Sequence, residues 1–432
     1  MGRVKARSSD APDSSPRDDR RTGCIGYVLQ MYPVLTETFV YREVEGLRRK
    51  GLQVKTFAFR EPDPEDLSRE SRHLMQETRY VLPLRWRRFL ASHLVWILRR
   101  PLRYLGTLAF VLTRRGESPR NRLLTLFHFG AGVDLAGAMR REGVTHVHAH
   151  FTINAATMAL VIARLLDVPF SFTAHNLMFR RPLLLKAKLR EAAFVVAISE
   201  FSRRFLVDSL PGEGIDRKIH VVHCGVSPRD FSPRRSRPRH DVPVLVFVAQ
   251  LAERKGAPVL VRACRILADR GVRFRCVLVG DGPERDVVDR LVSEHRLEDS
   301  ITRTGAVPQE NLRDHLDRAD VFVLPCVRAR DGDMDGIPVS MMEAMAMEIP
   351  TVSTRVSGIP ELVEDGESGL LVEAGDPEAL ADALERVLGD ADLRVRLGRA
   401  GRRRVIEAFD VDRSASELAE LFDRQGRPVE GS

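Results

Sequence analysis

Short apolar runs bounded by turn residues alternate along this chain with longer stretches whose apolar positions recur at helical spacing. Val244 to Val248, Cys276 to Val279, Val321 to Pro325 and Thr351 to Thr354 read as buried strands, and each is followed by a polar loop and then a helical pattern. The same alternation fills the N-terminal half, where Val168 to Phe172 is another such run. This succession predicts an α/β architecture with a parallel sheet in each half. In βαβ units the loops that leave the strands gather on one edge of the sheet, which is where ligands bind.

Four such loops belong to the C-terminal half. Ala249 to Gly256 follows the first strand, Gly280 to Pro283 the second, and Ser357 to Glu361 the last. The third leads through Asp335 into Gly336-Ile337-Pro338, whose proline opens a helix that carries Glu343 about one turn in. Lys255, Asp335, Glu343 and Gly358 therefore converge on one crevice. A cation suits a diphosphate, as does a glycine before a helix N-terminus, where backbone N–H groups are free. Carboxylates suit the hydroxyl groups of ribose and a sugar. By chemistry alone this is a nucleotide-sugar site. Duller readings stand beside it: Asp-Gly is an ordinary turn signal, and Glu343 could merely complement a helix dipole.

In the other half His146, His148 and His150 alternate along one strand and share a face, as metal ligands can. No carboxylate or cysteine cluster accompanies them in sequence. Hydrogen-bonded histidines at a strand end are expected instead, with His150 reaching the cleft. His175 follows the run Val168 to Phe172 and lies at that strand's carboxyl end, where a loop-capping imidazole is the plainer alternative.

With 432 residues, 44% of them hydrophobic, the chain can bury two cores. The expected division is a polar tail over 1–20, an N-terminal domain over 21–232, a C-terminal domain over 241–410 and a last helix and tail over 411–432. The first twenty residues read as disordered rather than as a signal peptide, and 231–243, rich in proline and basic side chains, as the linker. Five dispersed cysteines without a C-x-x-C pair argue against disulfide or zinc frameworks. The cytoplasm is the expected compartment.

Composition departs from the ordinary at one place. Ten arginines lie between Val81 and Thr125 against one acid, Glu117. Apolar stretches alternate with them, Phe89 to Leu98 and Tyr104 to Thr113, and the region carries Trp86, Trp96 and Tyr104. Neither stretch is long enough to cross a bilayer. A basic helical insert at about 84–125 lying on anionic lipid is the expectation, with an insert whose apolar stripe packs in the core as its rival. The net charge of +8 would also suit nucleic acid, but no nucleic-acid motif is present.

The C-terminal motifs resemble those of GT-B glycosyltransferases of family 4. Asp335-Gly336-Ile337-Pro338 followed by Glu343-Ala344 is similar to that family's pattern of two acids eight residues apart. Lys255-Gly256, Gly280-Asp281-Gly282-Pro283-Glu284, Ser357-Gly358-Ile359-Pro360-Glu361, Asp365-Gly366 and Gly369-Leu370-Leu371-Val372 fall in family order. Tyr32 to Phe39, His146 to Phe151 and Ser171 to His175 resemble the exopolysaccharide branch.

The resemblance, which covers about 23–410, implies two Rossmann-like domains facing across a cleft and a C-terminal helix, from about Val411 to Gln425, crossing back to the first. It implies a retaining hexosyltransferase with no cofactor and no metal. His175, Lys255 and Asp335 would be catalytic. Gln250, Lys255, Gly282, Asp335 to Pro338, Glu343 and Gly358 would bind the donor. Thr36, Glu37, Thr38 and His150 would face the cleft from the N-terminal domain, where the threonines could equally cap the following helix. A polyprenyl-diphosphate-linked saccharide in cell-surface polysaccharide synthesis is the implied acceptor, at the inner face of the membrane. One departure stands out: where the family places Gly-Arg, this chain has Ala249-Gln250, and Arg254 is a substitute whose register suggests that it points away. A non-catalytic GT-B protein and a sugar-nucleotide 2-epimerase are the alternative readings.

Overall fold

The computed structural model describes residues 23–34, 37–64, 67, 71–113, 118–175, 183–233 and 240–426. The expected tail over 1–20, Thr36 and the middle of the linker lie outside the described residues.

Seven strands form the N-terminal sheet: β1 (Cys24–Met31), β2 (Val54–Arg60), β3 (Arg79–Tyr80), β4 (Val144–His150), β5 (Phe170–Ala174), β6 (Phe194–Ala197) and β7 (Ile219–Val221). Their spatial order is β3-β2-β1-β4-β5-β6-β7, and every pairing is parallel. The C-terminal sheet has β8 (Val244–Val248), β9 (Arg275–Val279), β10 (Ile301–Gly305), β11 (Val321–Leu324), β12 (Thr351–Thr354) and β13 (Leu370–Val372), ordered β10-β9-β8-β11-β12-β13 and again all parallel. The strands read as continuous apolar runs because helices cover both faces; β8 and β11 are buried at every position. In each sheet the strand order reverses once, between β1 and β4 and between β8 and β11. Loops leaving the strands at such a reversal diverge and open a crevice at their carboxyl ends.

Two segments cross between the domains, and they are tied to each other. The N–H of Val226 donates to Phe409 O at 2.9 Å and that of Val411 to Val226 O at 3.0 Å. The helix Val411–Gly426 then packs on the N-terminal domain, where Leu418, Leu421 and Phe422 join Tyr27, Val44, Leu47 and Phe194 in one buried cluster. A second contact is polar. The Glu361 carboxylate accepts the N–H groups of Glu200 (2.8 Å) and Phe201 (3.0 Å), capping the N-terminal-domain helix Glu200–Asp208 from across the interface. Burial opposes its charge, but these bonds and His223 at 3.3 Å outweigh that and hold the carboxyl below its ordinary range.

The arginine-rich region forms three helices, Trp86–Arg99, Pro101–Thr113 and Pro119–Arg141, so it runs well past the expected limit near 125. Pro119 at the first turn, behind a Ser118 side chain that accepts from Asn121 N–H, starts the last of them. Two of the three aromatics expected at a lipid surface are core residues instead. Trp96 lies under Arg140, and Tyr104 bonds His93 at 2.8 Å and packs on Phe129. Only Trp86 among them is exposed. No helix among the described residues is long and apolar enough to cross a membrane.

Candidate functional site

A cleft of about 570 Å³ opens between the carboxyl ends of the two sheets. Its C-terminal wall carries Gln250, Arg254 and Lys255 after β8, Gly280 and Asp281 after β9, and Asp335 to Pro338 after β11. Glu343, on the helix Val339–Ala346, closes it from below, and Glu37, Thr38, Phe151 and His175 face it from the N-terminal domain. Strand-end loops at the two facing reversals therefore supply most of the walls.

The charged groups of the C-terminal wall pair among themselves. Lys255 Nζ contacts Asp335 Oδ2, and Arg254 lies with Nε 3.9 Å from Asp335 Oδ1 and Nη1 3.5 Å from Asp333 Oδ2. The register argument that turned Arg254 away fails: from the 3-10 turn Glu253–Lys255 both Arg254 and Lys255 reach the cleft wall and Asp335. The Arg254 Nε is buried without a hydrogen-bond partner, a donor held at the cleft wall.

Glu343 is 2% exposed. Its Oε1 accepts from Arg42 Nη1 at 3.2 Å and Gln309 Nε2 at 3.0 Å. Burial pushes its carboxyl up, and Arg42 and Gln309 pull it back only partly, so it stays above the ordinary range. Arg42 comes from the helix Thr38–Arg49 of the other domain and had no sequence signal, being 301 residues from its partner. Gln309 was missed for the same kind of reason.

His175 packs between Phe39 and Phe151, whose rings are tilted against it with centroids at 4.8 and 4.7 Å. Burial, then the charge of His150, drives its pKa well below the usual value, so it is a neutral imidazole. His150 is a correction: it is fully buried and stands behind the cleft wall, its Nδ1 2.9 Å from His175 Nε2 and its Nε2 3.0 Å from Glu43. It orients His175 instead of meeting a ligand. Farther in, His146 bonds Ser171 at 2.6 Å, and His148 bonds Ser171 at 2.8 Å and Thr173 at 3.0 Å. Glu43, His148 and His150 stand at metal-ligand spacing, but both ring nitrogens of His148 are already engaged by these hydroxyls.

One glycine is also corrected. Gly282 is not on the cleft wall; a Cβ there would lie 2.6 Å from Leu251 O, and its N–H donates to Asp281 Oδ1 at 2.8 Å. It lets two loops meet, and Asp281 and Gly280 face the cleft in its place. Gly358 precedes a helix of only four residues, and a Cβ there would meet Ile337 and Ser199 at 2.8 Å. Gly358 thus lies where the two domains meet, beside the cleft residue Ile337. Thr38 is buried, and the Glu37 side chain makes no capping bond to the helix it precedes. Burial lifts the Glu37 carboxyl to about 7, against a smaller opposing pull from His150.

Comparison with known proteins agrees with this geometry. Residues 36–230 match the model "Glycosyltransferase Family 4" and 228–404 the model "Glycosyl transferases group 1". The chain is 32% identical over 426 residues to the putative colanic acid biosynthesis glycosyltransferase WcaL of Escherichia coli, covering 92% of this chain and 99% of that one. It is 40% identical over 208 residues to the amylovoran biosynthesis glycosyltransferase AmsK of Erwinia amylovora, covering 48% and 51%. Among solved structures, sucrose-phosphate synthase from Thermosynechococcus elongatus superposes with a TM-score of 0.72 at 21% identity, over 93% of this chain and 98% of that one. Anabaena Alr3699/HepE in complex with UDP gives 0.66 at 15%, over 92% and 98%. At such identities the structural likenesses show the fold, two Rossmann-like domains of the GT-B kind. With a relative at 32% identity along nearly its full length, the chain belongs to the group 1, family 4 glycosyltransferases and is a sugar-transferring enzyme.

Proposed function

We propose that the chain moves a hexose-type sugar from a nucleotide-sugar donor, with retention of anomeric configuration, to a lipid-linked saccharide in exopolysaccharide synthesis at the inner face of a membrane. The observation that carries this reading is the convergence of Lys255, Arg254, Gln250, Asp335 and Glu343 on one cleft that His175 closes from the other domain. The names of the relatives from Escherichia coli and Erwinia amylovora support the polysaccharide setting.

Negative charge grows on the diphosphate as the bond to the anomeric carbon breaks, and Lys255 and Arg254 are the cations that would stabilise it there. Asp335 holds them in place and would accept hydrogen bonds from hydroxyls of the transferred sugar. Glu343, deep in the cleft, would take the ribose diol. A neutral His175 can donate or accept at the sugar without adding a competing charge. Burying these groups between two domains excludes water, the competing acceptor.

A thermal-shift panel with UDP, GDP, ADP and their common sugar conjugates tests the donor half of this reading, since ligands of the native state raise its melting temperature by mass action. A shift with one base, lost in Glu343→Ala, is the expected result. No shift with any nucleotide would transfer the weight to a non-catalytic GT-B protein.

A further inference from the structure

A cavity separate from the donor cleft lies in the N-terminal domain. It has a volume of about 1010 Å³, lies between β2, the segment after β3 and the helix Pro119–Arg141, and is walled by Phe59, Leu84, Leu123, Leu124, Leu126 and Phe127. Pockets of this size hold extended organic ligands. Beside it lies a second cavity of about 300 Å³ that shares Val81, Leu82, Leu84 and Phe89 with the first but has Arg79, Arg85 and Arg88 in its wall. Arg88 is neutralised by Asp134, through bonds of 2.6 and 3.2 Å, and Ser92 takes a further bond to that carboxylate at 2.9 Å. Arg79 and Arg85 have no ion pair among the described residues, and the Arg79 Nε is buried with no hydrogen-bond partner. Burial, then Arg88 and Arg141, depress the pKa of Arg79, as expected of a cation set among like charges. Glu61, exposed at the rim, is the other carboxylate of this pocket.

An apolar cavity adjoining a cationic one, with four lining residues in common, is complementary to an amphiphile with an anionic head. The surroundings fit as well. Thirteen of the fifteen large hydrophobic side chains exposed among the described residues fall between Trp86 and Phe127, on three helices of which the first and last line the cavity, so a lipid could enter from a membrane without crossing water. The donor cleft is close by. Ile153 and Asn154 line the apolar cavity, while Phe151, in the same loop after β4, lines the cleft and packs on His175.

We propose that the two cavities form a single site for a polyisoprenyl phosphate, its tail among Leu84, Leu124, Leu126 and Phe127 and its phosphate against Arg79 and Arg85. The site deepens the lipid-linked-acceptor reading and rests on it, since a carrier seated here would present its saccharide past the loop after β4 to the cleft.

The test uses the full chain and two probes. Undecaprenyl phosphate carrying a benzophenone at the end of its tail is cross-linked to the protein and the labelled peptide mapped. Vesicles of phosphatidylglycerol and phosphatidylethanolamine are used in flotation. The site predicts label within 81–89 and 118–131, competed by undecaprenyl phosphate and not by phosphatidylglycerol. It predicts at least about a tenfold loss of label in Leu126→Glu, with flotation retained. Arg79→Gln should weaken competition by undecaprenyl phosphate and leave that by undecaprenol unchanged. Flotation with label confined to 90–113, or with label unchanged in both variants, overturns the site and leaves the membrane reading standing. Equal competition by phosphatidylglycerol makes it a phospholipid pocket and also overturns it. Absence of both flotation and label removes the lipid-linked reading together with the site.

Discussion

Arg42 of the N-terminal domain donates to Glu343 of the C-terminal domain at 3.2 Å, with side-chain exposures of 11% and 3%. One carboxylate thus serves two purposes, holding the domains in register and lining the donor cleft. Breaking a buried pair from one side strands a charge, at a cost of about 3–5 kcal/mol, whereas removing both charges is close to neutral. Arg42→Met alone should therefore lower the stability measured in urea by about that amount. Arg42→Met/Glu343→Gln should recover most of it, and a double variant no more stable than the single one would show that the pair is not coupled.

Lys255 and Arg254 flank Asp335 from adjacent positions of one 3-10 turn. If Lys255 stabilises charge that develops only as the diphosphate leaves, Lys255→Ala should cost about 10²–10³ in kcat and much less in KM. An equal loss confined to KM would make it a ground-state contact.

Gln250 lines the same wall as a neutral amide. Exchanging a neutral for a charged donor adds about 1 kcal/mol, so Gln250→Arg should tighten donor binding about fivefold by calorimetry. Arg254→Gln should weaken it by a similar factor. Arg254 then stands where the family's missing arginine would act, and unchanged affinity in both variants would remove either position from diphosphate binding.

The strands that build the C-terminal wall were legible because they are buried on both faces and therefore continuously apolar, as in Val244 to Val248. Asp335 and Glu343 were legible because a strand, a loop and a proline-opened helix fix their positions locally. Arg42 depends on how two domains meet, Gln309 on how two separate helices of one domain pack, and the bearing of Arg254 on one short turn, none of which periodicity encodes. Gly358 lies in the loop where the sequence puts it, but the close approach of Ser199 from the other domain had no sequence signal. The arginine-rich stretch was read too simply as a surface. Its helices bury Trp96, Tyr104 and Val111 on one side and expose leucines on the other, so the core-packing reading holds on one face, and the other face is an exposed apolar surface.

Glu37 faces the cleft with its carboxyl lifted to about 7 by burial. A carboxylate there can accept a hydrogen bond from an incoming acceptor hydroxyl, and the acid form cannot do so in the same way. The kcat/KM for the acceptor should rise with pH through about 7 and lose that inflection in Glu37→Gln. An inflection that survives the substitution assigns it to another group.

The buried histidines predict an acid-labile fold. His146 is held down to about 3 by burial, and His128 to about 4 by burial and then Lys188, against an ordinary value of 6.5. The unfolded chain takes up protons at these positions below 6.5 while the folded one does not. Stability is therefore unaffected above that pH and falls as pH drops through the window from 6.5 toward 4 and 3, by about 2 kcal/mol per histidine at pH 5. Glu37 works in the opposite sense: its folded value lies above the ordinary 4.5, so its contribution grows as pH falls from about 7 to 4.5. Denaturant melts at pH 7.5 and 5 separate the two. His146→Gln, which can keep a bond to Ser171, should reduce the loss between those pH values, whereas Glu37→Gln should increase it by raising stability only at the higher pH. Identical pH slopes in His146→Gln and the parent protein would mean that His146 is already charged in the fold, and the stacking of its ring on Phe194 with only Ser171 as a polar partner argues that it is not.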